Sequence, residues 1–151
     1  MSVGYWVLLL AVSLWLCLVF LPSYALHHRW WGAELPYLFF CWICHQLPER
    51  SFTWNGHLLA VCHRCLGLYV GFWLGLVLLP FWRSLNQLLT RTPRLLALFS
   101  LPMALDLLID NTPGSRFVTG LLAAFPAAAF VRLAADELVG RTGPFCSESS
   151  S

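Results

Sequence analysis

Met1 to His28 contain no Asp, Glu, Lys or Arg, and a second charge-free run lies between Arg64 and Arg83. A hydrocarbon core of about 30 Å is crossed by roughly 20 consecutive apolar residues in a helix. Val3–Leu21 meets that length, and no soluble domain has a surface on which such a run can lie. Composition extends the reading to the whole chain of 151 residues, of which 59% are hydrophobic and 11% charged. Soluble domains average about 45–50% apolar and about 25% charged residues. An ordinary soluble enzyme and a disordered chain are excluded. A nucleic-acid binder is excluded as well, because the formal net charge is only +2 and the nine cations, all arginine, are scattered. The chain reads as a small all-α integral membrane protein, with the lipid bilayer as its first partner.

Four spans are expected, at about residues 3–21, 58–82, 95–109 and 117–135, within a single membrane domain covering 1–140. Residues 141–151 read as a flexible tail. Ser23-Tyr24-Ala25 resembles a small-x-small cleavage site, but the start lacks a positive n-region, so the first helix is expected to remain as an uncleaved anchor. Pro102 and Pro126 fall inside spans three and four, where a kink is expected rather than a break. Pro36–Cys44 is apolar but too short to cross. Arg83, Arg91 and Arg94, with no acid among them, place the loop after span two in the cytoplasm by the positive-inside rule. Both termini are then cytoplasmic in the plasma membrane of a prokaryote, and the long first loop, rich in cysteine, faces outward. Trp30, Trp31, Trp42 and Trp54 in that loop suit an interfacial belt.

Four of the six cysteines form two Cys-x-x-Cys pairs, Cys41/Cys44 and Cys62/Cys65, with 17 residues between Cys44 and Cys62. That spacing matches a tetrahedral zinc template, in which each tight turn offers two thiolates and the connector lets the turns face each other. Disulfide formation or exchange is the alternative, which an outward location permits. Cys41-Trp42-Ile43-Cys44-His45 also matches a haem attachment motif, although haem leaves the second pair unexplained. His45 and His63 flank the cysteines and are candidates to replace a sulfur as ligand. Arg64, between Cys62 and Cys65, would favour thiolates. Cys17 and Cys146 read as incidental.

Asp106 lies inside span three, and an intramembrane acid is a functional candidate with a partner to be found. Asp110, four residues on, falls on the same helix face. Arg116 opens span four and Arg64 opens span two, where each opposes its helix dipole and calls for a carboxylate. At least one of these arginines is therefore expected to meet Asp106. Gly67, Gly71 and Gly75 form a small-residue stripe that suits close packing within the chain, or alternatively a homo-oligomer.

Cys44-His45-Gln46, Arg50-Ser51-Phe52, Gly56, Cys62-His63-Arg64-Cys65, Gly67-Leu68-Tyr69-Val70-Gly71, Asp106 and Arg116-x-x-x-Gly120, in that order, resemble a prokaryotic membrane family, domain of unknown function 2085. The resemblance covers roughly residues 38–125 and implies a small helical membrane protein, with no activity attached. The leading expectation is a metal-binding protein, with zinc held by Cys41, Cys44, Cys62, Cys65 and His45, and with Arg64, Asp106, Asp110 and Arg116 beside it. Two alternatives stand beside it: a thiol–disulfide oxidoreductase coupled to a quinone, and an oligomeric transporter of small solutes or ions using Asp106.

Overall fold

The computed structural model describes residues 3–108 and 112–141. Along the chain come α1 (Val3–His27), α2 (Leu35–Cys41), β1 (Ser51–Trp54), β2 (His57–Cys62), α3 (His63–Leu78), α4 (Arg83–Arg91), α5 (Arg94–Leu108) and α6 (Pro113–Arg141). The architecture is mostly helical. Helices α1, α5 and α6 run unbroken through Pro22, Pro102 and Pro126. Among the described residues, α1 and α6 are long and apolar enough to cross a membrane. α3 and α5 have 16 and 15 residues. At 1.5 Å per residue they extend about 24 and 22 Å, short of a hydrocarbon core.

Leu58, the expected start of span two, lies on the strand β2, and α3 begins at His63, so a two-stranded hairpin is added to the mostly helical fold. The cause is Asn55-Gly56, with φ of 51° and 80°. Two successive residues at positive φ make the primed turn that folds one strand back on the next. β1 and β2 therefore pair antiparallel, with Trp54 opposite His57, and a register shift between Ser51 and Thr53 carries Ser51 opposite Cys62. Leu59, Ala60 and Val61 are buried in a core shared with Val19, Phe40 and Leu66. Side chains satisfy the strand's carbonyls where no third strand does. Leu58 O accepts from Ser23 Oγ at 2.8 Å and from the Tyr37 hydroxyl, and Ala60 O accepts from Gln46 Nε2 at 2.9 Å.

The helices alternate in direction. Tyr5 Oη donates to Leu76 O and Trp73 Nε1 to Ser13 Oγ, so α1 runs antiparallel to α3. α3 and α6 run parallel, because Gly67, Gly71 and Gly75 meet Phe117, Leu121 and Phe125 in that order. A Cβ on Gly67 or Gly71 would run into the carbonyl oxygen of Phe117 or Leu121, and one on Gly120 would sit 2.6 Å from Arg64 O. The glycine stripe is thus filled by α6 of the same chain, and an oligomer seam through those positions would first have to displace α6. α4 occupies part of the arginine-rich loop and buries Leu89 against Leu76, Leu79, Ala128 and Ala129.

Gly71→Ala should therefore destabilise the bundle by about 1–3 kcal/mol, the usual penalty of an overpacked site. Gly114→Ala, with nothing within 4 Å of the new Cβ, should stay within about 0.5 kcal/mol. Thermal unfolding in detergent, followed by size-exclusion chromatography, compares the two. Equal melting temperatures would argue against the seam.

Candidate metal centre

Cys44 reaches the site through a tight exit from α2. Phe40 is fully buried and orients that helix, and its carbonyl accepts from the N–H groups of Ile43 at 3.0 Å and Cys44 at 2.8 Å. Gln46, at φ 47°, turns the chain onward, and its Nε2 also donates to Tyr37 O at 2.8 Å. This side chain clamps α2 and β2 together and presses Cys44 onto the end of the strand. There the Cys62 N–H donates to Cys44 Sγ at 3.2 Å. Cys62 closes β2 and precedes the first residue of α3, and Cys65 follows in the first turn.

The sulfurs of Cys44, Cys62 and Cys65 all lie within 4.8 Å of one another. Zinc–sulfur bonds of about 2.3 Å in tetrahedral geometry would hold sulfurs about 3.8 Å apart, so small side-chain movements close the trio on a metal. Cys41 does not join them, which corrects the four-sulfur expectation. One residue advances about 100° around a helix, so burying Phe40 turns its neighbour Cys41 outward to the exposed face. His45 is exposed and lies outside the trio as well. His63 is buried against the Phe52 ring, 4.2 Å between centroids, and serves as packing. Within the Cys-x-x-Cys-His run, Cys44 is buried with Cys62 and Cys65 while Cys41 is exposed. Every cysteine among the described residues is a free thiol; Cys146 lies outside them.

The Cys62 and Cys65 thiols, followed by the backbone N–H groups of Gln46 and Cys62, aim hydrogen bonds at Cys44 and hold its thiol far below the ordinary thiol range. Hydrogen bonding is the cause here. The Arg64 charge expected in that role is directed elsewhere: Arg64 Nη2 lies 2.6 Å from Asp106 Oδ2 and also donates to Asp106 O at 3.3 Å. Ser115 Oγ donates to the other carboxylate oxygen at 2.7 Å. Asp106 is buried, and through it α3, α5 and α6 are tied together. Asp110 lies outside the described residues.

A cavity of about 550 Å³ opens over the trio, lined also by His45, Arg50, Arg64, Asp106 and Arg116. Three cysteines on one side of an open space could hold a metal ion, with a coordination position left for a further ligand. Gln46 and Arg50 stand in the motifs of the family resemblance with no role attached, and Ser115 is the site residue that motif reading passes over. Asn55-Gly56 between apolar runs was the available signal for the hairpin, and the hairpin accounts for Gln46.

Asp106→Asn should lower stability by about 3 kcal/mol by leaving Arg64 without its anion. Adding Arg64→Gln to the same molecule should recover part of that loss in a double-mutant cycle of detergent melting. Fully additive losses would show that the pair does not act as a unit.

Residues 44–130 match the family described as predicted membrane protein, domain of unknown function 2085. An uncharacterised protein of Methanocaldococcus jannaschii is 35% identical over 101 residues, covering 63% of this chain and 65% of that protein. An uncharacterised protein of Methanothermobacter thermautotrophicus is 53% identical over 32 residues, or 21% of this chain and 29% of the relative. The chain thus spans less than two thirds of the length of either relative. No solved structure matches. The family match begins at Cys44, takes in Cys62 and Cys65 and continues past Gly120. This chain belongs to the domain of unknown function 2085 family of predicted membrane proteins.

Proposed function

We propose that the protein is a four-span membrane protein that binds a thiophilic divalent metal, zinc, through Cys44, Cys62 and Cys65 at its outward-facing end. The observation that carries this reading is the convergence of three sulfurs within 4.8 Å from two segments far apart in sequence. Thiolates select zinc over hard cations. The short helices α3 and α5 cross with the help of local thinning and flanking residues. The orientation is supported by charge. Arg91 and Arg94 belong to the end opposite the cysteines, and so does Arg132, which lies over the Tyr5 ring. The apolar side chains Leu10, Leu14, Leu101 and Leu105, exposed on α1 and α5, then face lipid.

The protein purified in detergent without chelator should carry one zinc per chain by elemental analysis. Cys44→Ser, Cys62→Ser and Cys65→Ser should each lose most of it, whereas Cys41→Ser and Cys17→Ser should lose none. Metal retained after Cys62 and Cys65 are changed together would overturn the reading. Thiols that become countable only after reductant would favour disulfide exchange with a quinone acceptor instead.

The topology has its own test. Cys41 is exposed beside the trio, so a membrane-impermeant maleimide should label it in intact cells. Labelling that requires permeabilised membranes would reverse the orientation.

A further inference from the structure

Helix α2 and its C-terminal residue Trp42 carry an apolar stripe that no described part of the chain covers. Leu35, Leu38, Phe39 and Trp42 are all exposed. They recur at i, i+3, i+4 and i+7, the spacing that aligns side chains along one side of a helix. Phe40, turned away from the stripe, is fully buried. From Leu35 to Leu47 there is no Asp, Glu, Lys or Arg. A helix that is apolar both toward its core and away from it calls for an apolar neighbour on the open side.

The level of α2 along α1 identifies that neighbour. The Phe39 and Phe40 rings stand 5.9 and 5.5 Å, centre to centre, from Trp15. Trp15 lies six residues before Leu21, where the charge-free run suited to a first span ends, and six helical residues advance about 9 Å. A ring 5.9 Å from Trp15 is therefore at least about 3 Å on the hydrocarbon side of that boundary. Helices that lie in a membrane interface sink their apolar face about 5–10 Å. Trp54, 5.1 Å from Phe20, stands at the boundary itself, where tryptophan is favoured. Tyr37 is directed the other way: its hydroxyl meets Ser23 Oγ at 3.4 Å, eight residues nearer the outward end of α1 than Trp15. Cys41, four residues after Tyr37, shares that flank. One flank of α2 is thus turned to the outward surface, and the stripe lies beside the level of Leu14, which is exposed on α1.

We infer that α2 is an interfacial helix whose stripe of Leu35, Leu38, Phe39 and Trp42 is immersed among the acyl chains of the outward leaflet. Cys44 leaves this helix within three residues, so the lipid surface sets the height at which the cysteines stand. The inference rests on the α1 span proposed above and not on the metal. A second copy of the chain seated on the stripe is the competing occupant.

Depth-dependent quenching tests it. A fluorescent amino acid is placed at Leu38 of the full chain, which is reconstituted in phosphatidylcholine vesicles. A nitroxide is carried on the lipid headgroup, high on the acyl chain or near its methyl end, and iodide is supplied on both sides in water. The expected loss of fluorescence is greatest with the nitroxide high on the acyl chain and small with iodide. The same probe at Trp42, which is 93% exposed, should follow the same order and serves if the Leu38 replacement does not fold. A probe at Leu14 on α1 should be quenched by the acyl nitroxides as well. Strongest quenching of the α2 probes by iodide would put the stripe in water, and protection from every quencher would put a second copy over it. Either result, with Leu14 still quenched from the acyl chains, would overturn the inference and leave the α1 span standing. Strongest quenching from the methyl end would make α2 a re-entrant helix and overturn its interfacial placement. A Leu14 probe untouched by the acyl nitroxides would remove the α1 span and the inference together.

Discussion

The contact on which the rest of the molecule depends is the backbone-to-backbone meeting of α3 and α6. Gly67, Gly71 and Gly75 on one helix and Gly120 on the other remove the side chains that would hold the two apart. Helix association in lipid gains nothing from expelling water, so it relies on dispersion between surfaces that approach closely. Glycine lowers helix propensity by about 1 kcal/mol relative to alanine, and the packing along the seam must offset that loss. The seam also fixes register. With Gly120 seated against Arg64 O, the first turn of α3 cannot slide along α6, and that turn carries Cys65.

A second tie acts at the same level. Arg64 stands between Cys62 and Cys65, and its guanidinium is drawn to the buried Asp106 of α5, which Ser115 of α6 also holds. The ion pair therefore positions the sulfurs without touching them. A guanidinium released from Asp106 would be free to turn toward the thiolates and compete with a metal for their charge. The pairing thus keeps the Arg64 guanidinium with Asp106 rather than on the sulfurs.

Much of this was legible in the sequence, and the exceptions have physical causes. Charge-free runs announce α1 and α3, because nothing but lipid or a large core accommodates them. The i, i+4 glycines announce a tight seam, and an acid within an apolar run announces a buried partner. Cys41 misleads because Cys-x-x-Cys spacing describes which sulfurs are able to meet, while helix phase decides which of them do. Phe40 sets that phase by being the larger apolar group to bury. Leu58–Val61 misleads for a different reason. A short apolar run has the same hydropathy as strand or helix, and it is the turn chemistry of Asn55-Gly56 upstream that separates the two. Gln46 stands in the Cys44-His45-Gln46 motif, but its role was hidden there, since it rests on two carbonyls, Tyr37 O and Ala60 O, that only the folded chain brings together.

The hairpin poses the harder question of how non-helical backbone fits beside membrane helices. Backbone outside a helix is tolerated in a buried setting where protein groups satisfy it. Here Ser23, Tyr37 and Gln46 donate to strand carbonyls that no further strand reaches. The same packing decides the openness of the site. On one side, Phe40, Leu59, Ala60 and Val61 close over Cys44 and leave it almost wholly buried. On the other, the first turns of α3 and α6 line a cavity with Arg64 and Arg116. A structural zinc site would be expected to close on all sides with a fourth protein ligand. The trio is instead walled off by apolar residues on one face and open to cationic ones on the other. That asymmetry leaves the three cysteines reachable from the cavity and closed from the hydrophobic core.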